Sequence, residues 1–207
     1  MGFAYDQVLY PGLPLPQTHP DRLATIAGLF GMSPAAAPNC RVLELGCGDG
    51  GNLIPMALTL PGSVFTGIDL AAPAITHGCA LIRKLGLDNI TLRRLDLMQA
   101  GADLGEFDYG VFDYIIAHGL YSWVPAAVRD GLLGLSRRHL APQGVAYVSY
   151  NASPGFGRRR LFREMMLYHA REVEDPMRRV EQGVQLIGAL AGYARSMRTP
   201  RRCSRRS

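Results

Sequence analysis

The stretch VLELGCGDGGNL, residues 42–53, decides how this chain folds. Val42, Leu43 and Leu45 read as the end of a buried strand, and Gly46, Gly48, Gly50 and Gly51 allow a sharp turn in which backbone approaches a ligand closely. Gly46, Gly48 and Gly51 also satisfy the G-x-G-x-x-G spacing of dinucleotide binders, so the turn alone leaves two ligand classes open.

Outward from this turn the pattern alternates. Strands are predicted at 41–45, 63–69, 90–96, 111–118 and 144–151, each a short run rich in β-branched or aromatic residues. Helices are predicted at 20–31, 52–60, 73–85 and 126–141, with a short one at 99–104, and the sequence turns helical again after Leu161. Strands separated by helical lengths imply right-handed crossovers, hence an α/β fold of three layers: a mostly parallel sheet with helices on both faces. Four segments are expected: a lead-in and helix at 1–39, a core at 40–155, a helical extension at 156–194 and an irregular basic tail at 195–207.

At 207 residues with 48% apolar content, the chain can bury the core of one ordinary domain. It holds no run of about 18 apolar residues that would span a membrane, and its first residues lack the layout of a signal peptide. Cys40, Cys47, Cys79 and Cys203 are widely spaced with no C-x-x-C pair, which supports neither a disulfide framework nor a metal site and points to a reducing, cytoplasmic setting. The net charge of +5 resides in the tail, because residues 195–207 hold six arginines and no acid. Any nucleic-acid binding is therefore confined to a weak contribution from that tail.

In a parallel sheet of this kind ligands sit beyond the carboxyl ends of the strands. Glu44, Asp69, Asp96, His118 and Asn151 are all predicted there, around the glycine turn. A pyrophosphate favours helix N-terminal amides without adjacent carboxylates, whereas this turn is flanked by Glu44 and contains Asp49, with no Lys or Arg near it after Arg41. A ligand with a ribose, an adenine and a cationic centre fits better. Asp69 can accept both ribose hydroxyls, Asp96 the adenine amino hydrogen, and Glu44 can hold an ammonium group.

With these residues in view, the sequence resembles the class I S-adenosylmethionine-dependent methyltransferases. The resemblance rests on ELGCGDGG (44–51), GIDL (67–70), RLDL (94–97) and FDYIIAHGLYSWVP (112–125). It implies a Rossmann-like fold with S-adenosyl-L-methionine as cofactor. Gly46, Gly48 and Gly50 would pack against that cofactor, Asp69 would take the ribose, Leu70 would also contact the cofactor, Asp96 with Leu97 would face the adenine, and His118 would line the cavity near the methyl group. Catalytic candidates are His118, as a proton acceptor, and Tyr121, as a wall for the acceptor together with Trp123. Packing is the ordinary use of such aromatics.

The resemblance extends to bacterial methyltransferases that carry a regulatory domain and include rickettsial protein-lysine methyltransferases. YDQVLYPGLPLPQTHPDRLATIAGLFGM (5–32) is similar to their lead-in, in which Tyr10 and His19 would approach the methionyl end of the cofactor, and 148–170 is similar to their segment after the fifth strand. Those relatives are longer, and the final antiparallel strand pair of a seven-stranded sheet is missing from this pattern. The expectation is therefore a chain incomplete at its C-terminal end that binds cofactor, turns over slowly and self-associates through exposed core surface. Protein lysine is the acceptor implied. A small-molecule methyltransferase, an NAD-dependent oxidoreductase and a noncatalytic cofactor-binding module are the alternatives.

Overall fold

The computed structural model describes residues 12–98 and 111–198, with side chains through Arg195. The chain divides after Tyr150 into two compact units.

The first unit is an α/β sandwich. Helix α1 (Pro20–Leu29) precedes β1 (Arg41–Leu45), α2 (Leu53–Thr59), β2 (Val64–Asp69), α3 (Ala72–Leu85), β3 (Ile90–Arg94), β4 (Phe112–Ala117), α4 (Ala126–His139) and β5 (Leu140–Val148). The five strands form one sheet in the order β3-β2-β1-β4-β5, and every pairing is parallel. The first crossover from β1 leads to β2 on one side, and the chain later returns to place β4 on the other. That reversal creates the crevice where sheets of this class bind ligands.

Alternation along the strands sorts the core into two faces. Val42, Phe65, Ile90, Leu92, Tyr114 and Ile116 pack with Leu23 of α1, Leu53 and Met56 of α2, and Ile75 and Ile82 of α3. Leu43, Leu45, Ile68, Ile115 and Ala117 pack on the other face against Leu132 and Leu135 of α4. Glu44 shares the parity of Val42, so its carboxylate enters the face covered by α1, α2 and α3.

Helix boundaries follow local chemistry. Pro20 opens α1 behind His19, whose Nδ1 accepts the amide of Asp21 at 3.2 Å. Gly86 closes α3 at φ +66°, with Gly86 N–H donating to Arg83 O and Leu87 N–H to Ile82 O, a Schellman pair.

Several predicted boundaries shift. The first helix ends at Leu29 rather than 31, α2 covers 53–59 rather than 52–60, and α4 stops at His139 rather than 141. The strand expected from 63 begins at Val64, because Ser63 is buried with its hydroxyl donating to Ala37 O at 2.6 Å and accepting Cys40 N–H at 3.0 Å. The strand expected at 90–96 ends at Arg94, since Asp96 Oδ1 captures the Met98 amide at 2.9 Å and turns the chain away. The strand expected at 111–118 covers 112–117, leaving His118 just beyond it. The strand expected at 144–151 runs Leu140–Val148 instead, entering with a shift in register between Phe112 and Tyr114; Pro142, with no amide hydrogen, is tolerated on this outer strand of the described sheet. Asn151 consequently lies three residues past its end. The predicted helix at 99–104 lies outside the described residues.

The second unit contains α5 (Gly157–His169) and α6 (Pro176–Arg198), which pack together. Gly183 marks their close approach, where an added Cβ would lie 3.2 Å from Met166 Cβ. Met165 and Met166 are half-buried, while Leu167 and Tyr168 are exposed. Helix α6 runs to Arg198, past position 194 and into the basic stretch, whose arginines are good helix formers. Among the described residues no helix is long and apolar enough to cross a membrane, and no three His, Cys, Asp or Glu side chains gather as metal ligands.

Candidate functional site

The turn after β1 is built by conformation and by hydrogen bonds to β2. Gly46, Gly48 and Gly50 adopt φ of +76°, +56° and +78°, values that strain any residue with a Cβ. The amides of Gly46 and Cys47 both donate to Ile68 O, at 2.9 and 3.1 Å, fastening the turn to the end of β2. A Cβ at Gly48 would meet nothing within 4 Å among the described residues, which leave space beside the turn at this point.

Asp69 is gripped from two sides. Gly48 N–H donates to its Oδ2 at 2.8 Å and Ala71 N–H to its Oδ1 at 2.8 Å. Both bonds fix the carboxylate without exhausting it, because each oxygen keeps a second lone pair. Leu70 follows, half-buried, and its carbonyl accepts from Arg94 Nε at 3.3 Å. That arginine at the end of β3 was not anticipated, because a strand pattern gives no clue to which neighbouring loop a long side chain reaches.

Glu44 is the buried carboxyl among the candidate acids. It is 4% exposed, and its Oε1 accepts from Asn52 Nδ2 at 2.9 Å. Its Oε2 is buried, with no hydrogen-bond partner among the described residues. Burial raises the Glu44 carboxyl to about 7, with the Asn52 amide opposing the rise and the charge of Asp69 adding to it. A buried carboxylate oxygen without a donor is costly unless a cation or a proton meets it.

The remaining predicted residues occupy the same edge of the sheet at different depths. Asp96 and Leu97, both half-buried, lie past β3, where Leu97 also packs on the α4 side of the core. His118 stacks on Tyr147 of β5, with ring centroids 6.0 Å apart, and its buried Nδ1 has no partner among the described residues. Desolvation lowers its pKa, which favours the neutral imidazole. Tyr121 packs on the opposite core face from His118's stacking partner Tyr147. It lines an open cavity of about 380 Å³ with Leu133, Val148 and Tyr150, and the Arg129 guanidinium sits 5.7 Å over its ring. Trp123 is 47% exposed.

The lead-in meets the turn directly. Thr18 and Asn52 are buried, Asn52 Nδ2 donates to Thr18 Oγ1 at 3.0 Å, and Leu15 N–H donates to Asn52 Oδ1 at 2.9 Å. His19 holds the start of α1 through Nδ1, and Tyr10 lies outside the described residues. Asn52 escaped sequence reasoning, which made it the first residue of the helix at 52–60; it stands just before α2, makes no side-chain cap bond and turns to Thr18 and Glu44 instead.

A family model for a methyltransferase domain matches residues 43–146, half of the chain and nearly all of the sheet just described. The chain belongs to this methyltransferase family. The cofactor of the family is S-adenosylmethionine. The methyltransferase chain is also 39% identical over 95% of its length to the uncharacterized protein RP789 of Rickettsia prowazekii, of which it covers 34%. Uncharacterized protein RP028 of the same organism is 36% identical over 95% of this chain, with 77% of that protein covered. Among solved structures, PKMT2 from Rickettsia typhi in complex with AdoHcy superposes with a TM-score of 0.75 at 36% identity, covering 89% of this chain and 34% of that one. The methyltransferase chain thus spans about a third of the length of two of these three relatives.

Proposed function

We propose that this chain binds S-adenosylmethionine beyond the carboxyl ends of β1, β2 and β3 and transfers its methyl group to a lysine side chain of a protein. One observation carries the binding half: two carboxylates, Glu44 with a partnerless buried oxygen and Asp69 held between two backbone amides, flank the glycine turn. Such a site attracts a ligand bearing hydroxyls and cationic groups and repels a pyrophosphate. The residues fit the cofactor: Asp69 with Leu70 takes the ribose, Asp96 with Leu97 the adenine, Glu44 the ammonium group, and Gly46, Gly48 and Gly50 let backbone pack against it. Tyr10 and His19 belong to the lead-in assigned to its methionyl end.

S-adenosylmethionine supplies a methyl group already activated by a sulfonium. The chain's own work is alignment, desolvation and proton removal. His118, kept neutral by burial, is suited to accept a proton from the acceptor's ammonium, releasing the neutral amine whose lone pair attacks the methyl group. Tyr121 and Trp123 offer aromatic surface to the alkyl chain and amine of the acceptor.

The lysine assignment is supported by the likeness to PKMT2 from Rickettsia typhi and by those aromatics. Methyl-labelled cofactor incubated with the chain and a cell lysate tests it. Hydrolysis of the labelled protein fraction is expected to yield methylated lysine. Label confined to small molecules would instead identify a small-molecule methyltransferase, and label confined to nucleic acid would also exclude lysine.

A further inference from the structure

Among the buried polar groups of the first unit, one network links the lead-in to the cofactor edge. Asn52 is 5% exposed and its amide is fully used: Nδ2 donates to Glu44 Oε1 at 2.9 Å and to Thr18 Oγ1 at 3.0 Å, while Oδ1 accepts Leu15 N–H at 2.9 Å. Thr18 is fully buried and donates to Leu15 O at 2.8 Å. The partnerless acceptor in this network is Glu44 Oε2.

The lead-in also lies against the turn itself. A Cβ on Gly51 would come within 2.5 Å of Gly12 Cα, and one on Gly12 within 2.0 Å of Asp49 Oδ1. Backbone therefore rests on backbone, and Gly12 through Thr18 forms a strap across the glycine turn. Among the described residues, the hydrogen bonds that join the strap to Glu44 run through one side chain, Asn52.

From this geometry we infer that Asn52 is a positioning residue: it occupies Glu44 Oε1, leaves Oε2 for the ammonium group of the bound ligand, and fastens the strap at Leu15 and Thr18 when that group is in place. The inference rests on the cofactor reading above. Its chemical logic is directional. With its amide hydrogens both engaged, Asn52 cannot turn without giving up Glu44 or the strap, so a cation that fixes the carboxylate also fixes the amide and the two strap residues bound to it.

Two probes separate this from a general role in folding. S-adenosylhomocysteine carries the ammonium group; 5′-methylthioadenosine carries the same adenosine without the amino-acid end. Hydrogen exchange on the full chain is expected to show the Leu15 amide slowed at least tenfold further by saturating S-adenosylhomocysteine than by saturating methylthioadenosine. Asn52→Ala is expected to weaken S-adenosylhomocysteine tenfold or more while changing methylthioadenosine affinity less than twofold. That unchanged affinity also reports an intact fold. Thr18→Val, which removes the strap hydroxyl and keeps the shape, is expected to abolish the extra protection of Leu15 while retaining most of the affinity. Equal loss of both ligands in Asn52→Ala, or equal protection of Leu15 by both, would overturn the inference. If neither ligand bound the unaltered chain, the cofactor reading would fall first and this one with it.

Discussion

Gly48 N–H donates to Asp69 Oδ2 at 2.8 Å, so the carboxylate proposed for the cofactor ribose is set by the glycine turn itself. The second carboxylate oxygen is held by Ala71 at the entrance to α3. Replacing Asp69 by alanine removes the proposed ribose acceptor and frees two amides at once. Asp69→Ala is expected to weaken S-adenosylhomocysteine by about 1.5–3 kcal/mol, the cost of lost charged hydrogen bonds, read by calorimetry. An unchanged affinity would remove Asp69 from the site.

Glu44 makes stability depend on pH. Its carboxyl is raised by burial from 4.5 to about 7, so between those values the folded chain holds a proton that the unfolded chain has released. Stability of the unliganded chain is therefore expected to fall as pH rises from about 4.5 to 7, by roughly 3 kcal/mol if Glu44 acts alone. Glu44→Gln is expected to flatten this window in denaturant titrations at several pH values. Ligand binding should have the opposite slope, tightening as pH rises toward 7, because an ammonium group prefers the ionised carboxylate.

Close packing behind the turn gives a second stability test. An added Cβ at Gly78 of α3 would lie 2.3 Å from Asp49 O and 2.5 Å from Leu92 Cδ1, so Gly78→Ala must push the helix off the turn. A loss of about 1–3 kcal/mol is expected. At Gly28 of α1 a Cβ meets nothing within 4 Å, and Gly28→Ala is expected to stabilise by up to about 1 kcal/mol. Equal melting temperatures for the two variants would contradict this packing.

How far the sequence carries is visible in particular elements. The β1 turn, the Schellman end of α3 at Gly86 and the alternation behind the parallel sheet were legible because each depends on residues close together in the chain. The end of β3 was misplaced because Asp96 forms a turn with its own side chain, and the start of β5 because pairing with β4 tolerates Pro142 at an outer strand. Among the candidate residues, the acids at the strand ends were apparent from spacing alone. Asn52 was not, since Glu44 and Thr18 stand 8 and 34 residues away and no periodicity connects them.

The helical unit predicts association. Leu161, Tyr168, Val180, Val184 and Tyr193 are all exposed on α5 and α6, and exposed apolar side chains of this kind favour association when they join into a patch. Light scattering of the isolated chain is expected to show species larger than a monomer, and Val180→Glu with Val184→Glu to reduce them. A monomer at high concentration would show that these side chains drive no association.

The central claim is that the acidic turn selects S-adenosylmethionine over a dinucleotide, and competitive calorimetry on the folded 207-residue chain tests it most directly. Saturable heat is expected with S-adenosylmethionine and with S-adenosylhomocysteine, and none with NAD at the same concentrations. Tight binding of NAD with no response to either methionine-derived ligand would contradict the account and assign the glycine turn to a pyrophosphate.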